Sequence, residues 1–492
     1  MIAGWLIEPE SRHLGLKEME EQYLNLEMTH IETLIGSGKN QRNMADVSIG
    51  EVGPYAAADA VVPLRLQKLL QEKLEKDDTI KIFKEIEIPL IPILMEMEQN
   101  GIMLDIPFFA IMSQELTQRM GEIEKQIYES VGKSFNINST QQLSEILFTN
   151  LKIEPPRGTR RTASGQYSTA AEVLEELRGK HPVVDLVLEY RELAKLNSTY
   201  VEALPRQVNP KTGRVHTSFN QTGSVTGRLA SSNPNLQNIP TRTEIGSRVR
   251  QGFIASPGMA LVAVDYSQIE LRIVAHMSGD TAMVNAFLAG QDIHAATAAA
   301  INNINIDQVT KDQRRHAKAI NFGLIYGMSP FGLTRTTDLT LAEAENFVNA
   351  YFERFPGVKD YLFKIRKEAV EKGYVETLFG RRRYFSNLTS SNVNIRNREE
   401  REAINAPIQG TAADIMKIAM RDVVPALQIG KMDARLLLQV HDELILECPL
   451  DQVKQTAKIV KNVMESACTL SIPLLTEARW GNNWGTLSPL QG

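Results

Sequence analysis

Between residues 314 and 327 the chain reads RRHAKAINFGLIYG, and four of its side chains recur at intervals of four: Arg314, Lys318, Phe322 and Tyr326. A helix turns about 100° per residue, so each step of four returns to nearly the same face with roughly 40° of drift. The four side chains form one stripe, about 18 Å long at ~1.5 Å per residue. Two cations followed by two aromatics suit neither an aliphatic core nor a solvated face. They suit a ligand with an anionic end and a flat end, such as a nucleoside triphosphate. The alternative is a surface helix whose aromatic end tucks into the core. Thr310 with Gln313 makes a capping box at its start, Asp312 suits the first turn, and Gly327 supplies a stop.

Two carboxylates offer a second chemistry. MALVAVDYS (259–267) is a short apolar run ending in Asp265, which predicts a buried strand with an acid at its end, followed by a helix from Ile269. ARLLLQVHDELILECP (434–449) predicts a hairpin with His441, Asp442 and Glu443 at its turn. A buried acid is costly unless it is paired or binds metal. Neighbouring strands of one sheet could bring Asp265 and Asp442 together although they are far apart in sequence. Two converging aspartates with few other ligands suit magnesium, which keeps waters and shares phosphate oxygens. Two such ions about 4 Å apart activate a hydroxyl and stabilise a leaving oxygen in phosphoryl transfer. Each aspartate alone would pass for a turn residue or a salt-bridge partner; together with the stripe, they favour metal.

The elements that position these groups must come from a chain of 492 residues, too long for one core and consistent with two to four domains. Hydrophobic and charged contents of 43% and 23% are those of a soluble globular protein. No apolar run has membrane-spanning length, MIAGWLIEPE lacks the marks of a signal peptide, and Cys448 and Cys468 make neither a disulfide framework nor a metal motif. The chain reads as cytoplasmic, with no membrane partner. A net charge of −5 and a pI near 6.0 argue mildly against a non-specific nucleic-acid binder. Its arginines cluster, however, at 314–315, 381–383 and 396–401, which fits a localised phosphate track. Residues 84–203 read as an elongated helical unit interrupted by PPRGTRRTASGQYST (155–169). Arg157, Arg160 and Arg161 make that tip a candidate backbone contact, and Thr169 with Glu172 predicts a capped helix after it.

VAVDYSQIELR (262–272), RRHAKAINFGLIYG (314–327) and QVHDELILE (439–447) closely resemble the three polymerase motifs of family A DNA polymerases, the bacterial DNA polymerase I type. TGRLASSNPNLQNIP (226–240) and REAINAPIQGTAAD (401–414) resemble further family stretches. The resemblance implies an α+β right-hand polymerase fold, with a thumb at 85–203, a palm from 204–279 and 401–492, and fingers at 280–400. It implies a DNA-directed DNA polymerase that works as a monomer on primer-template DNA with deoxynucleoside triphosphates. Asp265, Asp442 and the Tyr266 carbonyl would hold two Mg2+ ions, with Glu443 supporting them. Arg314, Lys318 and His294 would grip the triphosphate, and Lys318 would protonate the leaving pyrophosphate. Phe322 would pack on the sugar and base, Tyr326 would stand under the template base, and Gln268 and Glu270 would line the nucleotide pocket. Glu270 would exclude a ribose hydroxyl at C2′. Arg228, Arg401, Asn405, Gln409 and His441 would follow the minor groove and primer terminus.

Departures from the family pattern are Ala230 in place of serine, His316 at a position usually small or hydroxylic, and a different C-terminal ending after the Asn-Trp pair. The last bears on packing near Asp442. A single-subunit RNA polymerase and a silent primer-template clamp are the rival readings. Residues 1–84 resemble the end of a 3′→5′ proofreading domain, with Tyr55 and Asp59 matching its third motif. The other acidic motifs are absent, so proofreading is not expected and residues 1–80 are candidates for loose order.

Overall fold

A computed structural model describes residues 1–156, 158–240, 243–335 and 337–490 of the chain. At its centre is an antiparallel sheet. The strands are β1 (Met259–Tyr266), β2 (Arg435–Val440), β3 (Glu443–Pro449), β4 (Thr476–Gly481) and β5 (Ser488–Pro489). Their order across the sheet is β5-β4-β1-β3-β2. The apolar run of β1 is buried on both faces, and alternation divides it between two cores. Ala260, Val262, Val264 and Tyr266 join one hydrophobic cluster; Leu261 and Ala263 join another. β3 divides the same way, with Leu444 and Leu446 in the first and Ile445 in the second. Both turn-proximal acids, Asp265 and Glu443, thus fall on the face of the second core and stand opposite each other in register.

That second core is shared with a long helical pair, Ile106–Val131 and Pro182–Leu196. The first of these helices starts where Asp105 accepts a hydrogen bond from the Phe108 N–H at 3.0 Å, and stops at Gly132, whose φ is +76°. Phe109, Met112, Leu116, Ile123 and Ile127 give it one buried stripe. The polar interruption predicted between the two helices lies there. Arg160 and Arg161 are exposed, but Arg161 stacks 4.3 Å over the Tyr167 ring and donates to the Gly165 carbonyl, which leaves it less free than expected. Arg157 lies outside the described residues. The predicted Thr169 cap does not form. The following helix, Ala171–Glu176, takes Ala170 as its N-cap. Thr169 turns inward instead, with a buried, unpartnered hydroxyl and a carbonyl that accepts from Arg191 at 2.6 Å.

Four helices contribute to the first core: α1 (Ile269–Ser278), α2 (Ile293–Asn302), α3 (Lys311–Ile325) and α4 (Val393–Ile429). α4 is 37 residues long and nearly wholly buried from Ala403 to Met420, so it serves as the spine of the first core. Residues 1–80 are more ordered than expected. Val62, Leu66, Leu70 and Leu74 of the helix Ile49–Lys76 recur every four residues and bury a face against Trp5, Leu6, Met19 and, from α4, Ile418.

Beneath Trp5 lies a buried ionic cluster. Arg381 Nη2 meets Glu87 at 2.5 Å and Asp414 at 2.6 Å, and Lys417 Nζ meets Glu87 at 2.7 Å. None of the four is more than 4% exposed, and the Trp5 ring covers both cations at 5.0 and 5.2 Å. Two positive and two negative charges cancel, which is what makes such burial tolerable. The phosphate-track reading of residues 381–383 is therefore corrected. Arg381 faces inward, Arg382 pairs with Glu376 and Asp77, and Arg383 pairs with Glu402. Arg396 and Arg398 also pair with acids of their own helix, Glu400 and Glu402.

Candidate active site

The turn between β2 and β3 sets the first half of the site. Asp442 presents its carbonyl to the Tyr266 N–H at 3.0 Å, which fixes it beside the end of β1 and hence beside Asp265. The Tyr266 side chain points away, buried, with its hydroxyl donating to the Met464 carbonyl at 2.6 Å. Only its backbone belongs to the site. Two non-glycine residues flank the aspartates in the left-handed region, His441 at φ +55° and Gln268 at φ +56°. Each conformation costs on the order of 1–3 kcal/mol and is held by its surroundings. Burial, then Glu443, then Asp442 push the Asp265 carboxyl up to about 7. Burial and then Glu270 push Asp442 up to about 6, against the opposing effect of Arg228.

Glu443 is fully engaged elsewhere. Arg479 on β4 approaches one carboxylate oxygen at 3.3 Å, and the Trp484 indole N–H donates to the other at 3.2 Å. Arg250 in turn stacks 3.9 Å over Trp484. The C-terminal stretch thus secures the acid beside Asp442 and bears directly on the site. Arg479, which also lies 3.9 Å from Asp265, was not anticipated. Only the Asn-Trp pair beginning four positions on, at Asn483, carried a signal. The aspartates fit divalent cations: two like charges on adjacent strand ends, both resisting ionisation, are a donor set that a cation would relieve. Among the described residues no group of three or more His, Cys, Asp or Glu converges to hold a metal. The pair would leave most of a cation's coordination to water and to phosphate oxygens, which is the habit of Mg2+.

α3 sets the second half. The Gln313 N–H donates to the Thr310 hydroxyl at 3.2 Å, and the Gln313 side chain accepts from the Thr310 N–H at 2.9 Å, so the predicted box is complete. Gly327, at φ +68°, ends the helix, and Arg401 of α4 packs so closely that a Cβ there would meet its Cγ at 3.0 Å. Ala317, Ile320, Asn321 and Leu324 are buried, which turns the predicted stripe outward. Arg314, Lys318 and Phe322 line a cavity of about 230 Å³ with Gln268, Glu270, His294 and Asp442. Phe322 lies 5.7 Å from the His294 ring and stacks at 6.4 Å with Tyr326. Arg314 is pinned by Asp292 at 2.6 Å, a partner the sequence reading missed. Asp292 also caps α2 by accepting from the His294 and Ala295 N–H groups. Burial lowers His294 to about 4 against the opposing effect of Asp292, with Arg314 and Lys318 pushing the same way as burial, so the imidazole is neutral.

Glu270 ties the halves together. Only 6% exposed, it accepts from Arg228 Nη2 at 2.6 Å and from the Tyr326 hydroxyl. Tyr326 therefore meets the pocket through Glu270. Arg228 and His441 line a second cavity of about 300 Å³ that shares Asp442 with the first. Arg401, Asn405 and Gln409 line neither cavity. They recur every four residues along α4, with Arg401 exposed, the other two half-buried, and the side-chain Oδ1 of Asn405 lacking a partner. His316, the departure on α3, keeps a buried ring nitrogen without a partner and does not line the first cavity. No helix among the described residues is long and apolar enough to cross a membrane.

Comparison with known proteins gives consistent results. The profile of DNA polymerase family A matches residues 107–486. DNA polymerase I of Chloroflexus aurantiacus is 47% identical over 495 residues, covering 100% of this chain and 52% of the relative. DNA polymerase I of Pseudomonas aeruginosa is 45% identical over 486 residues, covering 98% and 53%. The chain spans about half the length of the curated relatives it matches. Among solved structures, the POL domain of Pol1 from M. smegmatis, in complex with DNA primer-template and dNTP, superposes with a TM-score of 0.88 at 36% identity. That match covers 98% of this chain and 81% of the other, and it establishes the α+β polymerase fold.

Proposed function

The chain belongs to DNA polymerase family A, and from that premise we propose that it is a template-directed DNA polymerase, adding deoxynucleotides to a primer 3′-hydroxyl by two-metal phosphoryl transfer. The observation that carries the proposal is the cavity in which Asp442 faces Arg314, Lys318, His294 and Phe322. One wall can take a metal-bound phosphate, another can neutralise a triphosphate, and a third offers a flat apolar surface. On this reading residues 85–203 are the thumb, 204–279 and 401–492 the palm, and 280–400 the fingers.

Asp265, Asp442 and the Tyr266 carbonyl would hold two Mg2+ ions, while Glu443, locked by Arg479 and Trp484, keeps the strand ends in place. Bound there, the ions would supply activation of the primer hydroxyl and charge stabilisation of the leaving oxygen. Arg314, braced by Asp292, binds the triphosphate as a fixed fork. Lys318 pairs with it as a mobile ammonium and passes a proton to the oxygen on which pyrophosphate leaves. Phe322 packs on the sugar and base. Glu270 fills the space at C2′ and positions Tyr326 for the template base, with Gln268 at the pocket wall. Arg228, Arg401, Asn405, Gln409 and His441 follow the primer-template. Every correct pair offers minor-groove acceptors at N3 or O2, so donors there test geometry without reading sequence.

Primer extension tests the proposal. Asp265→Ala or Asp442→Ala should abolish extension while leaving duplex binding largely intact, because binding rests on phosphate contacts. Near-normal turnover by either variant would overturn the metal assignment. An RNA polymerase-like enzyme would prefer ribonucleotides in the same assay, and a silent clamp would bind without extending.

A further inference from the structure

We propose that Arg479 holds Glu443 out of the cation site, so that a cation at the strand ends meets two carboxylates where three stand within reach. The inference rests on the metal reading of Asp265 and Asp442, and adds a residue that sets how tightly they bind. Alternation puts Glu477 and Arg479 of β4, Ala263 and Asp265 of β1, and Glu443 of β3 on one face of the sheet. In register, Asp265 has Glu443 on one side and Glu477 on the other, while Arg479 stands opposite Ala263. β1 lies between β4 and β3, so the Arg479 side chain reaches Glu443 by crossing β1. Its Nη2 ends 3.3 Å from Glu443 Oε1 and 3.9 Å from Asp265 Oδ2. Arg479 Nε is buried without a partner, so the side chain's polar contacts are those that Nη2 makes with the two acids.

Residues directly opposite on neighbouring strands have Cβ atoms about 4.5–5.5 Å apart, so Glu443 could share a cation with Asp265 without moving its backbone. What prevents this is the use already made of its oxygens. The Trp484 indole N–H occupies Oε2 at 3.2 Å, and Arg479 occupies Oε1. A cation approaching Oε1 must displace a guanidinium or lie beside a like charge. A guanidinium cannot step aside by losing its proton, as a lysine or histidine could. Asp265, by contrast, meets Arg479 only at 3.9 Å, beyond hydrogen-bond length, and keeps its oxygens for an ion. Two carboxylates leave the rest of a cation's coordination to water and to phosphate oxygens. A third would build a site that holds the ion before any nucleotide arrives. Arg479 touches neither substrate nor ion on this account; it is a positioning residue.

The experiment titrates the full chain with Mn2+, followed by electron paramagnetic resonance, without nucleotide or DNA. Loss of binding in Asp265→Asn and in Asp442→Asn places the ion at the strand ends. Undiminished binding in both would overturn the metal reading, and this inference with it, before Arg479 is touched. Arg479→Gln should then tighten Mn2+ binding by about 10- to 100-fold, the range over which the partners of ligands move metal affinity. Removing a residue that only supports the fold would not improve affinity. The same substitution in a Glu443→Gln chain should give little gain, because no carboxylate is left to release; a double-mutant cycle isolates this coupling. The Arg479 side chain is 41% exposed, so plain repulsion of the cation by its charge is open to screening by salt. The gain in Arg479→Gln should instead persist at about 1 M salt, where the Debye length is ~3 Å. Unchanged affinity in Arg479→Gln overturns the proposal while leaving the metal reading intact. So does an equal gain in both backgrounds, or a gain that vanishes at high salt, either of which reduces Arg479 to a charge near the site.

Discussion

Glu270 is the position where a paired substitution separates shape from charge. Its carboxylate is 6% exposed and accepts from Arg228 and Tyr326. Glu270→Ala removes both bonds and the volume; Glu270→Gln removes the charge and keeps the volume. Hydrogen bonds to a charged group contribute about 1.5–3 kcal/mol each. Arg228 is 39% exposed and can return to water, so its share is screened. A loss of about 2–3 kcal/mol is expected for alanine and less for glutamine, read from urea midpoints at constant m-value. Selectivity should split the two. Only alanine opens space at C2′, and one group fitting or clashing in a packed pocket is worth about 1–3 kcal/mol, or roughly 10- to 200-fold. The assay is single-nucleotide insertion, comparing kcat/KM for a ribonucleotide and its deoxy counterpart. With divalent cations chelated, both variants should also lower the pH at which the Asp442 carboxyl ionises, because Glu270 is the second cause, after burial, that lifts it to about 6, and neither variant retains that charge. An unchanged ribo-to-deoxy ratio in Glu270→Ala, or equal relaxation in Glu270→Gln, would refute the steric argument.

Three further outcomes are expected. Phe322→Tyr should increase dideoxynucleotide incorporation relative to deoxynucleotide, because its hydroxyl can replace the polar contact a missing 3′-hydroxyl leaves unmade; competitive chain-termination assays measure it. With divalent cations chelated, Asp265→Asn and Asp442→Asn should raise the melting temperature. Both carboxyls have folded values above the ordinary range, about 7 and about 6, so ionising them costs stability. That cost is absent near pH 3, grows as pH rises through the range 4–7, and is complete above about 7, so the gap between variant and parent should open over the same range in melting curves. Glu87→Gln should destabilise the chain by about 3–5 kcal/mol in urea unfolding, because it leaves Arg381 and Lys417 with one buried anion between them.

What was legible in the sequence was local. The α3 stripe, its Thr310 box and its Gly327 stop depend on spacings of three to four residues, and all three formed. The acid at the end of β1 and the acidic turn of the hairpin were legible because period-2 burial and turn chemistry are also local. Thr169 shows the limit of the same logic. Its spacing to Glu172 is right for a cap, but tertiary packing drew the side chain inward. The partners of the site were not legible. Asp292 reads as an ordinary N-cap until α2 and α3 pack side by side, and Arg479 reads as one more charge in a strand. Arg381 was misread because its acids, Glu87 and Asp414, lie far away in sequence, and three consecutive arginines look solvated. Residues 1–80 were undervalued because their buried face needs Ile418, on α4, to close it.

The cluster beneath Trp5 has a consequence for how this chain can be recombined. Glu87, Arg381, Asp414 and Lys417 come from three separate stretches of sequence, yet electrostatically they form one neutral unit. A crossover with a relative that divides those stretches is safe only where both parents carry the same charges at all four places. Otherwise a division between residues 87 and 381 leaves unmatched charge in a space almost closed to solvent. Tolerated crossover points should therefore keep residues 87, 381, 414 and 417 from a single parent, although nearly 300 residues separate the first two. In a library of such hybrids, soluble members should show these four positions inherited as a block, while exposed positions next to them in sequence assort freely.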